Sequence, residues 1–88
     1  MRIDLFLHRI RLVKSRTLAQ SLVEQGTTRI DGKRVRKPSE PIRVGSVIAL
    51  PLRGGVRVIR VLALPGRRGP ASEARTAYAE IDEPSGPT

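Results

Sequence analysis

Between Ser15 and Val35 the sequence carries a helix start, a helix stop and a hairpin turn in close succession, and this punctuation constrains the fold more than any other feature. Ser15 reads as an N-cap. Its hydroxyl can accept a bond from a first-turn amide, and the apolar series Leu18, Ala19, Leu22, Val23 begins just after it at helical spacing. Gly26 stops the helix by offering a residue free to enter the left-handed conformation, so the spacing predicts a helix over Arg16 to Gln25. Asp31-Gly32 then lies between Thr28-Arg29-Ile30 and Lys33-Arg34-Val35. This is the signature of a two-residue hairpin, whose type I′ turn needs positive φ at both central positions. A helix running directly into a hairpin sets the class as α+β. Leu18, Leu22, Val23 and Ile30 are expected to face the core together, with Thr28 and Val35 pointing the same way.

The flanking segments extend this order. Ile3, Phe6, Leu7 and Ile10 line one side of a short first helix over residues 2–11, with Arg2 and Arg9 on one flank and Asp4, His8 and Arg11 on the other. Leu5 points roughly opposite the core. Downstream, Pro38 and Pro41 bracket an extended connector, Val44-Gly45-Ser46 turns into a strand over Val47 to Leu50, and Gly54-Gly55 turns into a strand from Val56 to about Leu64. Pro65-Gly-Arg-Arg-Gly-Pro70 ends the sheet. Ala74, Ala77, Tyr78 and Ile81 share one side of a further short helix over Ala71 to Ile81, and Glu83 to Thr88 reads as a disordered tail. The expected organisation is a domain over 1–64, an extension over 65–82 and a tail over 83–88, with two short helices packed on a sheet of four or five strands.

Composition narrows the function. An 88-residue chain supports one core, and with no Trp, one Phe and one Tyr that core is aliphatic and stacking platforms for single-stranded bases are nearly absent. The absence of Cys removes disulfides, thiolate metal sites and thiol nucleophiles. No apolar run approaches the roughly 20 residues of a membrane span, so the expectation is a soluble, unprocessed, cytoplasmic protein. No acid pair, metal-ligand spacing or Ser-His-Asp set is present. The lone His8 reads as a helix-surface residue and Gly54-Gly55 as a turn, so neither an enzyme nor a cofactor is expected.

Charge is the strongest global signal. The formal net charge is +9, and residues 1–68 hold 16 Lys and Arg against 4 Asp and Glu, while residues 69–88 hold one against 4. A small domain this basic expects a polyanion, nucleic acid first and an anionic membrane second. Two clusters carry the charge. Arg9, Arg11, Lys14, Ser15 and Arg16 surround the N-terminus of the second helix, where unpaired amides, the helix dipole and bidentate guanidiniums all favour phosphate. Arg2 extends that cluster from the start of the first helix. The other cluster, Arg29, Lys33, Arg34, Arg36 and Lys37, follows the hairpin. There the same cations also discourage sheet-to-sheet pairing, and Arg29 can alternatively pair with Glu24. Arg67 and Arg68 either extend the surface or keep a linker soluble.

Taken at their spacing, Arg2-Ile3-Asp4, Lys14-Ser15-Arg16, Ala19, Leu22-Val23, Gly26, Ile30-Asp31-Gly32, Val35, Pro38-Ser39 and Val44-Gly45 resemble the S4 RNA-binding domain over roughly residues 2–50. Arg67-Arg68-Gly69-Pro70-Ala71-Ser72-Glu73-Ala74, followed by Tyr78, is similar to the segment after that domain in the small ribosome-associated heat-shock proteins of bacteria. The resemblance implies an S4-type (alpha-L) fold. It also implies a non-enzymatic role on structured RNA: the large ribosomal subunit carrying a stalled nascent chain, its rRNA, and tRNA held on it. A related S4 protein acts in ribosome-associated quality control. A single chain is expected to suffice. The sequence departs from the family at Leu5, where a basic residue is usual, and ends acidic where many members carry a long basic extension. With few aromatics and many arginines, recognition is expected to rest on backbone shape and phosphates. The rival reading is a basic adaptor for an acidic protein or an anionic membrane surface.

Overall fold

The computed structural model describes residues 1–52 and 54–81. In chain order these form α1 (Ile3–Arg9), α2 (Arg16–Glu24), β1 (Thr28–Ile30), β2 (Lys33–Val35), β3 (Val47–Leu52), β4 (Gly55–Val61), α3 (Ala71–Ala74), a 3-10 turn (Arg75–Ala77) and β5 (Tyr78–Glu80). The sheet is antiparallel throughout, in the order β2-β1-β3-β4-β5. The expected 83–88 tail lies outside the described residues.

α1 is shorter than the apolar spacing predicted because both ends are fixed by tertiary partners. Arg2 is extended and bridges to Pro41, and the connector supplies carbonyls to first-turn amides: Ile3 N donates to Glu40 O at 2.8 Å and Asp4 N to Pro38 O at 3.2 Å. At the other end Arg11 takes φ +64, a left-handed conformation that cannot continue a helix. α2 starts where its cap predicted, with Leu18 N donating to Ser15 Oγ at 3.1 Å, and it stops before Gly26 at φ +82. Asp31 and Gly32 both have positive φ, as the hairpin requires, and Asp31 Oδ1 accepts from Val47 N at 2.9 Å, tying the turn to β3.

One face of the sheet is covered. Thr28, Val35, Ile48, Leu50, Ile59 and Val61 are buried with Ile3, Phe6, Leu7 and Ile10 of the α1 segment and Ala19 and Val23 of α2. Register puts Arg29, Arg34, Val47, Ala49, Val58 and Arg60 on the opposite face. Ile30 and Leu22 are half-buried against the core, but Leu18 is 52% exposed, against the expectation that it would be core-facing. α2 buries the Ala19–Val23 row, and Leu18, one position around the helix, falls outside it.

The segment after Pro70 differs most from its prediction. Only Ala71–Ala74 is α-helical, and after the 3-10 turn Tyr78 opens into a strand. A helix of one or two turns is not stable alone. β4 offers an open edge to which β5 pairs in the register Ile59↔Glu80, Arg60↔Ala79, Val61↔Tyr78, and Arg57 meets Glu80 at 2.6 Å. β4 itself ends at Val61 because Leu62 N and Ala63 N both turn to Ala77 O.

Candidate nucleic-acid interface

Asp4 organises the basic end of the molecule. It is fully buried, and its carboxylate accepts from Arg2 Nε at 2.7 Å and Arg2 Nη2 at 3.0 Å, from Gln20 Nε2 at 3.2 Å and from the Leu5 amide at 2.7 Å, with Arg16 Nη2 at 3.6 Å. Burial works to raise the Asp4 pKa, but the bonds from Arg2, Gln20 and the Leu5 amide outweigh it and hold the carboxyl below its ordinary value. Arg16 and Gln20 are one helical turn apart on α2, so a single buried carboxylate joins the start of α1 to α2 and fixes two guanidiniums side by side. Sequence reasoning placed Asp4 on an unremarkable flank. The available signal was the pairing of an acid with Arg2 two residues earlier, ahead of a helix bearing Arg16 and Gln20.

Arg9 and Arg11 serve a second purpose. Arg9 Nη1 donates to Pro65 O at 2.8 Å, Arg11 Nε donates to Gly69 O at 2.6 Å, and Arg68 Nε returns a bond to His8 O at 3.0 Å. Three guanidiniums thus strap residues 65–69 over the end of α1, which brings Arg68 beside the first cluster. Burial, then the surrounding Arg68, Arg16, Arg11 and Arg9, lowers the His8 pKa below 6.5, so His8 is neutral at pH 7. Lys14 and Ser15 complete this end, Lys14 exposed and Ser15 capping α2.

The hairpin cluster divides. Lys33, Arg34, Arg36 and Lys37 line one open groove with Glu40. Arg29 and Arg34 are cross-strand partners on the uncovered face, like charges directly opposite, an arrangement that costs stability unless an anion lies over it. Arg29 Nη1 donates to Gly32 O at 3.3 Å, and among the described residues it makes no ion pair with Glu24. Arg36 lies across Gly26, where an added Cβ would stand 3.2 Å from its guanidinium carbon. Gly26 therefore both ends α2 and makes room for Arg36. α2 is nine residues long, roughly 14 Å at a helical rise, with Lys14 and Arg16 at its start and Arg36 at its end. Among the described residues no carboxylate pairs with Lys14, Lys33, Arg34, Arg36 or Lys37.

Helices on one face of a small antiparallel sheet, with cations at both ends of a capped second helix, make a basic α+β module suited to a polyanion. The chain belongs to the S4 domain family, whose model matches residues 1–48. It is homologous to heat shock protein 15: it is 34% identical to that protein of Escherichia coli K12 over 83 residues, covering 94% of this chain and 62% of the relative. A trimeric structure of Vibrio cholerae heat shock protein 15 matches with a TM-score of 0.86 at 32% identity, covering 92% of this chain and 81% of that one. The RQC P-site tRNA stabilizing factor of Helicobacter pylori is 37% identical over 65 residues, covering 74% of this chain and 76% of the relative. The match to the E. coli protein reaches well past the S4 domain, into the strapped segment and β5.

Proposed function

We propose that this chain binds structured RNA of the large ribosomal subunit, and tRNA held on it, in the cytoplasm, as a non-enzymatic factor in stalled-ribosome rescue or the heat-shock response. The observation that carries this reading is the Asp4-centred cluster, which holds Arg2 and Arg16 beside Lys14 and the capped start of α2. Side chains fixed in this way meet phosphates without the entropy loss of ordering free arginines. The first-turn amides left free at the α2 N-terminus add a partial positive charge. Lys33, Arg34, Arg36 and Lys37 supply a second phosphate row. Relatives named for heat shock and for stabilising a P-site tRNA support the ribosomal setting. All the residues invoked come from one chain, so a monomer suffices for binding. The domain over 1–64 carries the contacts, and the 65–82 extension sets Arg68 beside them.

Co-sedimentation tests the reading. The chain is expected to pellet with isolated large ribosomal subunits and to remain in the supernatant with anionic vesicles at the same salt. The reverse pattern would replace an RNA-binding role with a membrane-adaptor one.

A further inference from the structure

Beside the α1–α2 loop lies an open groove of about 600 Å³ lined by Arg11, Leu12, Val13, Lys14, Leu18, Leu52, Arg57 and Arg68. Its floor is aliphatic and fixed, since Leu12, Val13 and Leu52 pack against the core. Leu18 forms one wall and is 52% exposed, a large apolar side chain left open although its helix has a core to face. The rim is cationic. Arg11 and Arg68 are each held by a backbone carbonyl through Nε, at 2.6 and 3.0 Å, their terminal amino groups make no hydrogen bond among the described residues, and Lys14 lines the groove with them. Arg57 is already met by Glu80 at 2.6 Å and closes one end of the groove more than it attracts anions.

We infer that this groove takes one unstacked nucleotide of the bound RNA, its base against Leu12, Val13, Leu18 and Leu52 and its phosphates on Arg11, Lys14 and Arg68. The inference rests on the RNA-binding reading and adds the class of RNA element to it: a bulge or loop, not an uninterrupted duplex. A continuous helix keeps its base faces stacked inside and presents sugar and phosphate, which would satisfy the rim and leave the apolar floor wet. An extruded base fills both. The aromatic residues do not compete for this role, since Phe6 is fully buried and Tyr78 packs against the core. Among the described residues no carboxylate lines the groove, so its charge complements a nucleotide.

The test uses two RNA hairpins alike except that one carries a single unpaired 2-aminopurine in its stem. Each is titrated with the full chain at fixed salt. The bulged hairpin is expected to bind about tenfold more tightly, the order gained when one face of a base leaves water against apolar side chains, and 2-aminopurine emission is expected to shift on binding. Leu18→Gln should remove both effects and leave affinity for the paired stem and the melting temperature unchanged, while Leu18→Met keeps them. Equal affinity for the two hairpins, or a preference that survives Leu18→Gln, overturns the groove assignment while leaving RNA binding intact. Binding to neither hairpin overturns the RNA reading itself. An acidic leucine-containing peptide that binds the wild type, not Leu18→Gln, with no bulge preference in RNA would assign the groove to a protein partner instead.

Discussion

Asp4 is the residue on which the orientation of two candidate phosphate ligands depends. Asp4→Asn keeps the shape but removes the charge that gathers Arg2, Arg16 and Gln20, and should cost about 1–2 kcal/mol of stability, limited by the partial exposure of the arginines. The effect is pH-dependent in a definite direction. The folded pKa lies below the ordinary 3.8, so the stabilisation is fully present above 3.8 and is lost as pH falls through the lower folded value. The melting-temperature gap between wild type and Asp4→Asn should therefore be constant at neutral and mildly acidic pH and close only below 3.8. A gap that closed well above 3.8 would contradict this assignment. Ser15→Ala, by deleting the cap on Leu18 N, should cost about 1 kcal/mol in chemical denaturation. At this scale the cations were legible in the sequence, because exposed Lys and Arg show as surplus charge and spacing. Asp4 was not, because its role depends on where α2 packs. Leu18 was misplaced for the same reason: periodicity gives a helix face but not where that face ends.

At the scale of elements, α2, β1 and β2 followed from local chemistry. Ser15, Gly26 and Asp31-Gly32 act on their own neighbours, and these boundaries came out within a residue or two. Elements whose ends depend on distant partners did not. α1 is trimmed by the Pro38–Pro41 connector and by Arg11, and the predicted last helix is kept only over Ala71–Ala74 and then gives way to a 3-10 turn and an edge strand because β4 needs a partner. The strap over α1 yields a prediction that separates structure from binding. Arg9→Ala removes the bond to Pro65 O and should lower stability by about 1 kcal/mol, seen in hydrogen exchange as earlier loss of amide protection at Glu73 and Ala74, which donate to Pro70 O just past the strap, with little change in the salt dependence of RNA binding. A large fall in RNA affinity with no change in exchange would return Arg9 to the phosphate-binding set.

For the whole molecule, the central claim is that placed cations, not diffuse charge, bind RNA. If about six phosphates are engaged, log K against log salt should fall with a slope of order −4 to −5, between the single-strand and duplex coefficients. Removing two of the contacts should flatten that slope by about 1.5. Arg60 and Arg75 provide the control. Both are exposed, Arg60 lies on the uncovered sheet face, and losing them subtracts the same formal charge. The decisive measurement is filter binding of structured RNA across a salt series for wild type, Lys14→Ala/Arg16→Ala and Arg60→Ala/Arg75→Ala. A steep wild-type slope is expected, with a shallower slope and weaker binding for the first pair and near-wild-type behaviour for the second. A flat wild-type response would contradict the electrostatic claim, and equal losses from both pairs would mean that diffuse charge, and not placed cations, holds the RNA.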